Sequence, residues 1–241
     1  ELLGAILQSG NLSNLTRLLL GMRRADDKSK TWGSVNEDGT LNHDDWVAFI
    51  DRITSGDNPI LTKSDFEAVQ ELWDLNAEIL PYTQRAWRAV FGVPFKQVEL
   101  EGFTNRFGEW KGGYWPAKQD ATKSPEAAQR DLEATLENEA RVMHVQTPRG
   151  FGISRVEHEY RPLQLDIRLS GIHLTEALQF AYIQPHIKKV LQVLKQKNLS
   201  NALESFDPTI LTSLITPYLN RVSQQTQSVG VDATSTGWIA R

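Results

Sequence analysis

Between Thr62 and Gly92 the chain places Phe66, Val69, Trp73, Asn76 or Ala77, and Leu80, then Trp87 and Val90, at close to the spacing of successive helical turns. A stripe of that length must be covered by another element, so it predicts a packed helical protein. Thr62-x-x-Asp65 opens the run as a capping box, and Gly92 suits its end. Pro81 lies inside it and is expected to kink or end the helix, because proline lacks an N–H and crowds the preceding turn. Just upstream, Asn42 with Asp45 three residues on begins a shorter helix, with Trp46, Phe49, Ile50 and Ile53 on one face. Gly56 to Pro59 breaks it, and the two helices are expected to pack as a hairpin.

The same pattern recurs along the chain. Leu12, Leu15, Leu18, Leu19 and Met22 form a helical stripe capped by Asn11 or Ser13, followed by a polar loop from Arg23 to Gly39. Ser124-Pro125-Glu126 starts a helix reaching about His144, with a thin stripe of Leu132, Leu136 and Met143. Ile172 to Ile183 reads as one helix and the segment from Pro185 to Leu194 as the next. After Asp207-Pro208, the residues Ile210, Leu211, Leu214, Ile215, Tyr218, Leu219 and Val222 make a stripe broad enough for two neighbours. The best strand signal is the alternation of Leu163, Leu165, Ile167 and Leu169 with Gln164, Asp166 and Arg168. From Val93 to Asp120, glycines interleave with Phe103, Phe107, Trp110, Tyr114 and Trp115, which predicts a packed irregular excursion with a short hairpin.

The expected fold is therefore mainly α: an irregular multi-helix bundle with an aromatic, glycine-rich loop excursion and a minor β element. Residues 1–120 hold the helical hairpin region and the aromatic loop, 121–225 a helical region with one short strand, and 226–241 a loose tail, all expected as one packed unit. The chain opens on Glu1 without an initiator methionine and ends at Arg241, as expected of a fragment of a larger protein.

Hydrophobic residues make up 40% and charged residues 23% with a net charge of -4, so a sizeable core can form. The acidic balance argues against a surface that binds nucleic acid throughout. Basic residues outnumber acidic ones six to three after residue 180, against 20 to 27 before it. There are no cysteines, which removes disulfides, thiolate metal sites and cysteine nucleophiles. No stretch approaches the ~20 apolar residues of a membrane span.

Four constellations bear on chemistry. Ser34, Asn36, Asp38, Gly39, Thr40, Asn42 and Asp45 follow EF-hand spacing, which points to calcium near Asn36, Asp38 and Asp45. Serine at the first position and aspartate at the last depart from that pattern, and a polar loop leading into the Asn42 cap is the competing reading. The five histidines show no i, i+4 metal spacing, and Glu157-His158-Glu159 puts two acids beside one imidazole on a segment where neighbours diverge. No nucleophile elbow or complete phosphate loop is present, and Asp/Glu pairs sit in capping or polar contexts. Finally, Arg106, Trp110, Lys111, Tyr114, Trp115 and Lys118 mix cations with aromatics, so they could contact a partner, stack on single-stranded bases or serve as packing between helices.

Several phrases occur together in order. Leu7-Gln8-Ser9-Gly10-Asn11-Leu12-Ser13-Asn14 is followed by Leu61-Thr62-Lys63-Ser64-Asp65-Phe66, Leu72-Trp73-Asp74-Leu75, Phe107-Gly108 and Gly112-Gly113-Tyr114-Trp115-Pro116-Ala117. Then come Arg161-Pro162-Leu163-Gln164-Leu165-Asp166, His173-Leu174, Ile183-Gln184-Pro185-His186-Ile187 and Leu214-Ile215-Thr216-Pro217-Tyr218-Leu219. This series, from about Leu7 to Gln225, resembles a region of the DarB-like antirestriction and large polyvalent virion proteins of phages and mobile elements. The resemblance implies a structural or interaction segment without catalytic residues, contacting other domains of its parent protein or other virion proteins. It implies a location in the virion and then in the host bacterial cytoplasm, to which such proteins pass with the DNA. A nucleic-acid-binding module and an enzyme with an unrecognised site are the alternatives.

Overall fold

The computed structural model describes residues 1–24, 27–93, 97–118, 120 and 162–223. The fold is mainly α, with two small antiparallel hairpins as its β component. The helix expected from Ser124 to His144, the Glu157-His158-Glu159 triplet and the tail after 225 lie outside the described residues.

Helices α1 (Leu2–Ser9) and α2 (Leu12–Gly21) open the chain as a tight pair. Asn11 caps α2, as its position before the leucine stripe predicts; α1 went unread because its short apolar run carries no cap. The polar loop folds into the hairpin β1 (Ser34–Val35) and β2 (Leu41–Asn42), turning at Gly39 with φ +83°. Helix α3 (Asp44–Thr54) follows, and its Asp44 N–H is capped by Asn42 Oδ1. Strands β3 (Phe103–Asn105) and β4 (Gly108–Trp110) are the hairpin expected in the aromatic excursion.

Helix α4 (Lys63–Phe91) starts in the Thr62/Asp65 capping box and ends at Gly92 in the left-handed conformation. Its 29 residues extend ~43 Å. Of the kink or end expected at Pro81, the end does not occur: the helix runs through the proline. The proline and Ala77, whose carbonyl it leaves without an intrahelical donor, both face solvent, so water can take that carbonyl. The Thr83 hydroxyl bonds the Leu80 carbonyl beside the break. Pro185 behaves the same way: the two helices expected on either side of it are one, α5 (Leu169–Leu194).

The main helix partner of α4 is α5 rather than α3, which corrects the expected α3–α4 hairpin. Tyr82 meets Tyr182 at 6.3 Å between ring centroids, and Trp87 meets Phe180 at 6.1 Å. Lys188 Nζ reaches the carbonyls of Ala89 (3.0 Å) and Val90 (2.5 Å) at the end of α4. An antiparallel pair crossing at Tyr82 and Tyr182 would leave Lys188 about 20 Å from Val90, so α4 and α5 run parallel. A parallel pair needs a long connection, and the aromatic excursion is part of it.

The strand expected over Leu163–Leu169 is also corrected. Among the described residues the segment pairs with the 118–120 stretch by two backbone bonds, Asp120 N–H to the Pro162 carbonyl (2.9 Å) and Gln164 N–H to that of Lys118 (2.8 Å). Leu163 and Leu165 are buried as the alternation requires. Asp166 then accepts bonds from the Arg168 N–H and guanidinium, turning the chain so that Leu169 begins α5 instead of extending a strand.

One large core holds Ile6, Leu7, Leu18, Leu19, Trp46, Phe66, Trp73, Trp110, Trp115, Leu163 and Leu165, so it draws on both sides of residue 120. Beyond it, α4 and α5 share a smaller core cluster of Ala86, Ala177 and Phe180, with Ile79, Leu80, Trp87 and Ala181 packed against it. Helices α6 (Lys197–Phe206) and α7 (Thr216–Ser223) cover Ile187, Leu191 and Leu194 of α5. The turn entering α7, Leu211–Ile215, has π-helical bonding, closed by Thr216 N–H to the Leu211 carbonyl. Pro217 cannot donate to the turn before it, which suits this wider register. The stripe from Ile210 to Val222 is covered on one side only: Leu219 is buried, while Leu214, Tyr218 and Val222 are exposed.

Candidate functional site

The most organised polar chemistry among the described residues lies inside the large core. Gln8, Asn11 and Asn14 recur at three-residue spacing across the α1–α2 corner, and all three are buried. Asn11 Oδ1 accepts the Asn14 N–H (3.0 Å), and its Nδ2 donates to the Gly113 carbonyl (3.3 Å). Asn14 Nδ2 donates both to Gln8 Oε1 (2.8 Å) and to the Trp115 carbonyl (2.8 Å). Gln8 Nε2 donates to the Pro116 carbonyl (3.2 Å). Three carboxamides thus hold the backbone of the Gly113–Pro116 stretch.

Backbone bonds complete the clamp. Gly113 N–H and Glu101 N–H both donate to the Gly10 carbonyl (2.7 and 3.0 Å), and Leu12 N–H donates to the Glu99 carbonyl (3.0 Å). Trp73 Nε1 donates to the Leu7 carbonyl (3.1 Å). Gly10 and Gly113 lie against the Trp73 indole so closely that a β-carbon at either would overlap it. Each hydrogen bond contributes ~1 kcal/mol net, but a member left unpaired costs roughly 1–3 kcal/mol. Carboxamides neither titrate near neutral pH nor act as nucleophiles. The arrangement can fix a chain path; it cannot move protons.

This clamp explains why two phrases distant in sequence belong together: the residues of 7–14 are the hydrogen-bonding partners of 113–116. Sequence reasoning missed it. The available signal was three amides at i, i+3 and i+6 amid apolar neighbours, where polar side chains need partners.

The six aromatic and basic residues of the excursion do not form one surface. Trp115 is fully buried, and Trp110 is buried with its ring stacked on Phe66 (5.5 Å) and its Nε1 donating to Asn105 Oδ1 (3.1 Å). Neither indole presents a face for base stacking. Arg106 donates to the carbonyls of Thr54 (2.7 Å) and Gly56 (3.0 Å), tying the hairpin to the end of α3. Lys111 is exposed, with its backbone N–H on Gln70 Oε1 (3.0 Å). Tyr114 and Lys118 turn toward α5. The Tyr114 ring lies 5.2 Å from that of His173, and Lys118 pairs with Glu176 at 3.5 Å. His173 is buried, and burial, followed by the charge of Lys118, lowers its pKa to about 4.

The EF-hand-like residues are engaged elsewhere. Asp38 accepts bonds from the Thr40 hydroxyl (2.6 Å) and N–H (2.9 Å), which hold its carboxyl below the usual range. Asn36 donates to the Thr40 hydroxyl (2.9 Å), and Asp45 pairs with Arg24 at 2.7 Å. Among the described residues no three acidic or histidine side chains converge as a metal site. No helix among them is long and apolar enough to cross a membrane.

Fold and site together define a mainly helical protein built around a buried polar clamp. No family model, no curated protein and no solved structure matches the chain.

Proposed function

We propose that this chain is a non-enzymatic structural and interaction domain of a large phage- or prophage-encoded polyvalent virion protein, carried into the host bacterium with the DNA. The observation that supports this reading is the clamp. The phrases that carry the resemblance, around Gln8–Asn14 and Gly113–Pro116, meet in the core as mutual hydrogen-bond partners and hold a chain path. Residues that fix architecture, without a titrating group among them, suit a domain that holds neighbouring domains or virion proteins in place. The alternative of base stacking by the aromatic excursion is weakened by the burial of Trp110 and Trp115.

The reading is tested on purified phage particles from a host carrying the parent gene. Peptides covering this chain should appear in the particle proteome, and early after infection in the recipient cytoplasm. Their absence from particles, with the protein present in the producing cell, overturns it. Salt-sensitive binding of the isolated chain to single-stranded DNA would instead favour the nucleic-acid reading.

A further inference from the structure

A groove crosses the surface beside the clamp, between α2, the β1–β2 hairpin, the start of α3 and the segment entering β3. Two adjoining hollows make it, of about 60 and 410 Å³, and Leu15, His43 and Glu101 line both. Leu12 and Val35 project into one end and Val47 into the other, and all three are exposed apolar side chains. Among the described residues, Glu101 and Asp51 are the carboxylates of the lining, and none is a lysine or arginine.

Apolar walls that carry carboxylates select their occupant by charge. A phosphate backbone or an anionic lipid surface would meet repulsion, since it would face two negative groups. Two hollows that share a wall, with exposed apolar side chains on either side of it, suit neighbouring side chains of one peptide better than a small amine, which would occupy one hollow alone. We propose that this groove binds a peptide segment of a partner protein that presents an aliphatic or aromatic side chain next to a lysine or arginine. The apolar side chain covers Val47 or the Leu12–Val35 end, and the cation pairs with Glu101 or Asp51. This names a partner chemistry for the interaction role proposed above, but it does not rest on the virion assignment, because the groove is tested on the 241-residue chain alone.

The test uses an array of synthetic peptides that combine Leu, Ile, Val or Phe with Lys or Arg at one- to three-residue spacing, each with a counterpart in which Glu replaces the basic residue. Binding is read by amide shift changes in the isotope-labelled chain. Basic members should move the resonances of Val35, Val47 and Thr104, and the Glu counterparts should not. The double substitution Glu101→Gln, Asp51→Asn should weaken binding about tenfold while leaving the melting temperature unchanged. Val47→Glu, on an exposed helix face, should abolish it. The proposal is overturned if no member of the array shifts the groove resonances, if the acidic counterparts bind equally, or if the charge-removing substitutions leave affinity intact. Absence of the chain from phage particles, with peptide binding intact, would instead count against the functional reading alone.

Discussion

Trp73 and Tyr218 are both aromatic residues on the apolar stripe of a helix, yet Trp73 is 1% exposed and Tyr218 is 59% exposed. Around Trp73, α1, α2, the glycine-tryptophan segment and the returning 162–165 stretch close from several sides, and buried amides fix the backbone that passes between them. Around Tyr218, two short helices lean on one side of α5, and Phe206, Leu214 and Val222 remain open to solvent. The contrast shows that amphipathicity alone does not determine burial. A stripe is covered only where the rest of the chain brings elements to both of its sides, and in the N-terminal lobe specific polar bonds hold them there.

The sharpest break of this contrast is Trp115→Ala. Removing a fully buried indole from the lobe should destabilise the chain by about 4 kcal/mol, read as a fall in the urea midpoint. An effect below 1 kcal/mol would mean the lobe is no better packed than the C-terminal helices.

Acid should act on the junction between the two regions through His173. In the unfolded chain this imidazole takes its proton near pH 6.5, whereas in the folded chain it resists until about pH 4. Unfolding therefore takes up a proton between those values. Stability should fall as pH drops from 6.5 to 4, by about 3 kcal/mol from this group, and level off below. Substitution His173→Gln should flatten that part of the stability–pH curve. An unchanged slope in the variant would contradict the assignment.

Asn14→Ala sharpens the comparison by leaving the apolar core intact while removing the link between Gln8 and the Trp115 carbonyl. It should cost roughly 2–3 kcal/mol in thermal or chemical unfolding, because two buried acceptors lose their donor. At the other extreme, Phe206→Ser removes a ring that is 83% exposed, and should change stability by less than about 0.5 kcal/mol.

The capping box at Thr62, the Asn11 cap, the Gly92 terminator and the hairpin in the aromatic excursion were legible because each is a local signal, set by residues within a few positions. The helix ends expected at Pro185 and, as one of two outcomes, at Pro81 do not occur, for the converse reason. Their local preference against helix yields because the turns on either side carry buried residues, Trp73, Asn76, Thr83 and Ala86 around Pro81 and Phe180, Gln184 and Ile187 around Pro185, which no short window reveals. The alternation at 163–169 correctly marked Leu163 and Leu165 as inward, but a strand needs a ladder, and Asp166 with Arg168 ends the extended stretch first. The aromatic-basic run was identified as a unit, yet whether its rings faced in or out depended on Gln8, Asn11 and Asn14, a hundred residues away. The parallel course of α4 and α5 was likewise invisible, since it depends on how the intervening excursion docks.

Native-state hydrogen exchange most directly tests whether the clamp locks the N-terminal lobe while the C-terminal helices are held on one side only. The amides of Gly113 and Asn14, bonded to the Gly10 carbonyl and Asn11 Oδ1, should exchange only through global unfolding. Those of Thr216–Ser223 should exchange faster through local opening. Equal protection of the two sets, or slower exchange in Thr216–Ser223 than at Gly113, would contradict the account.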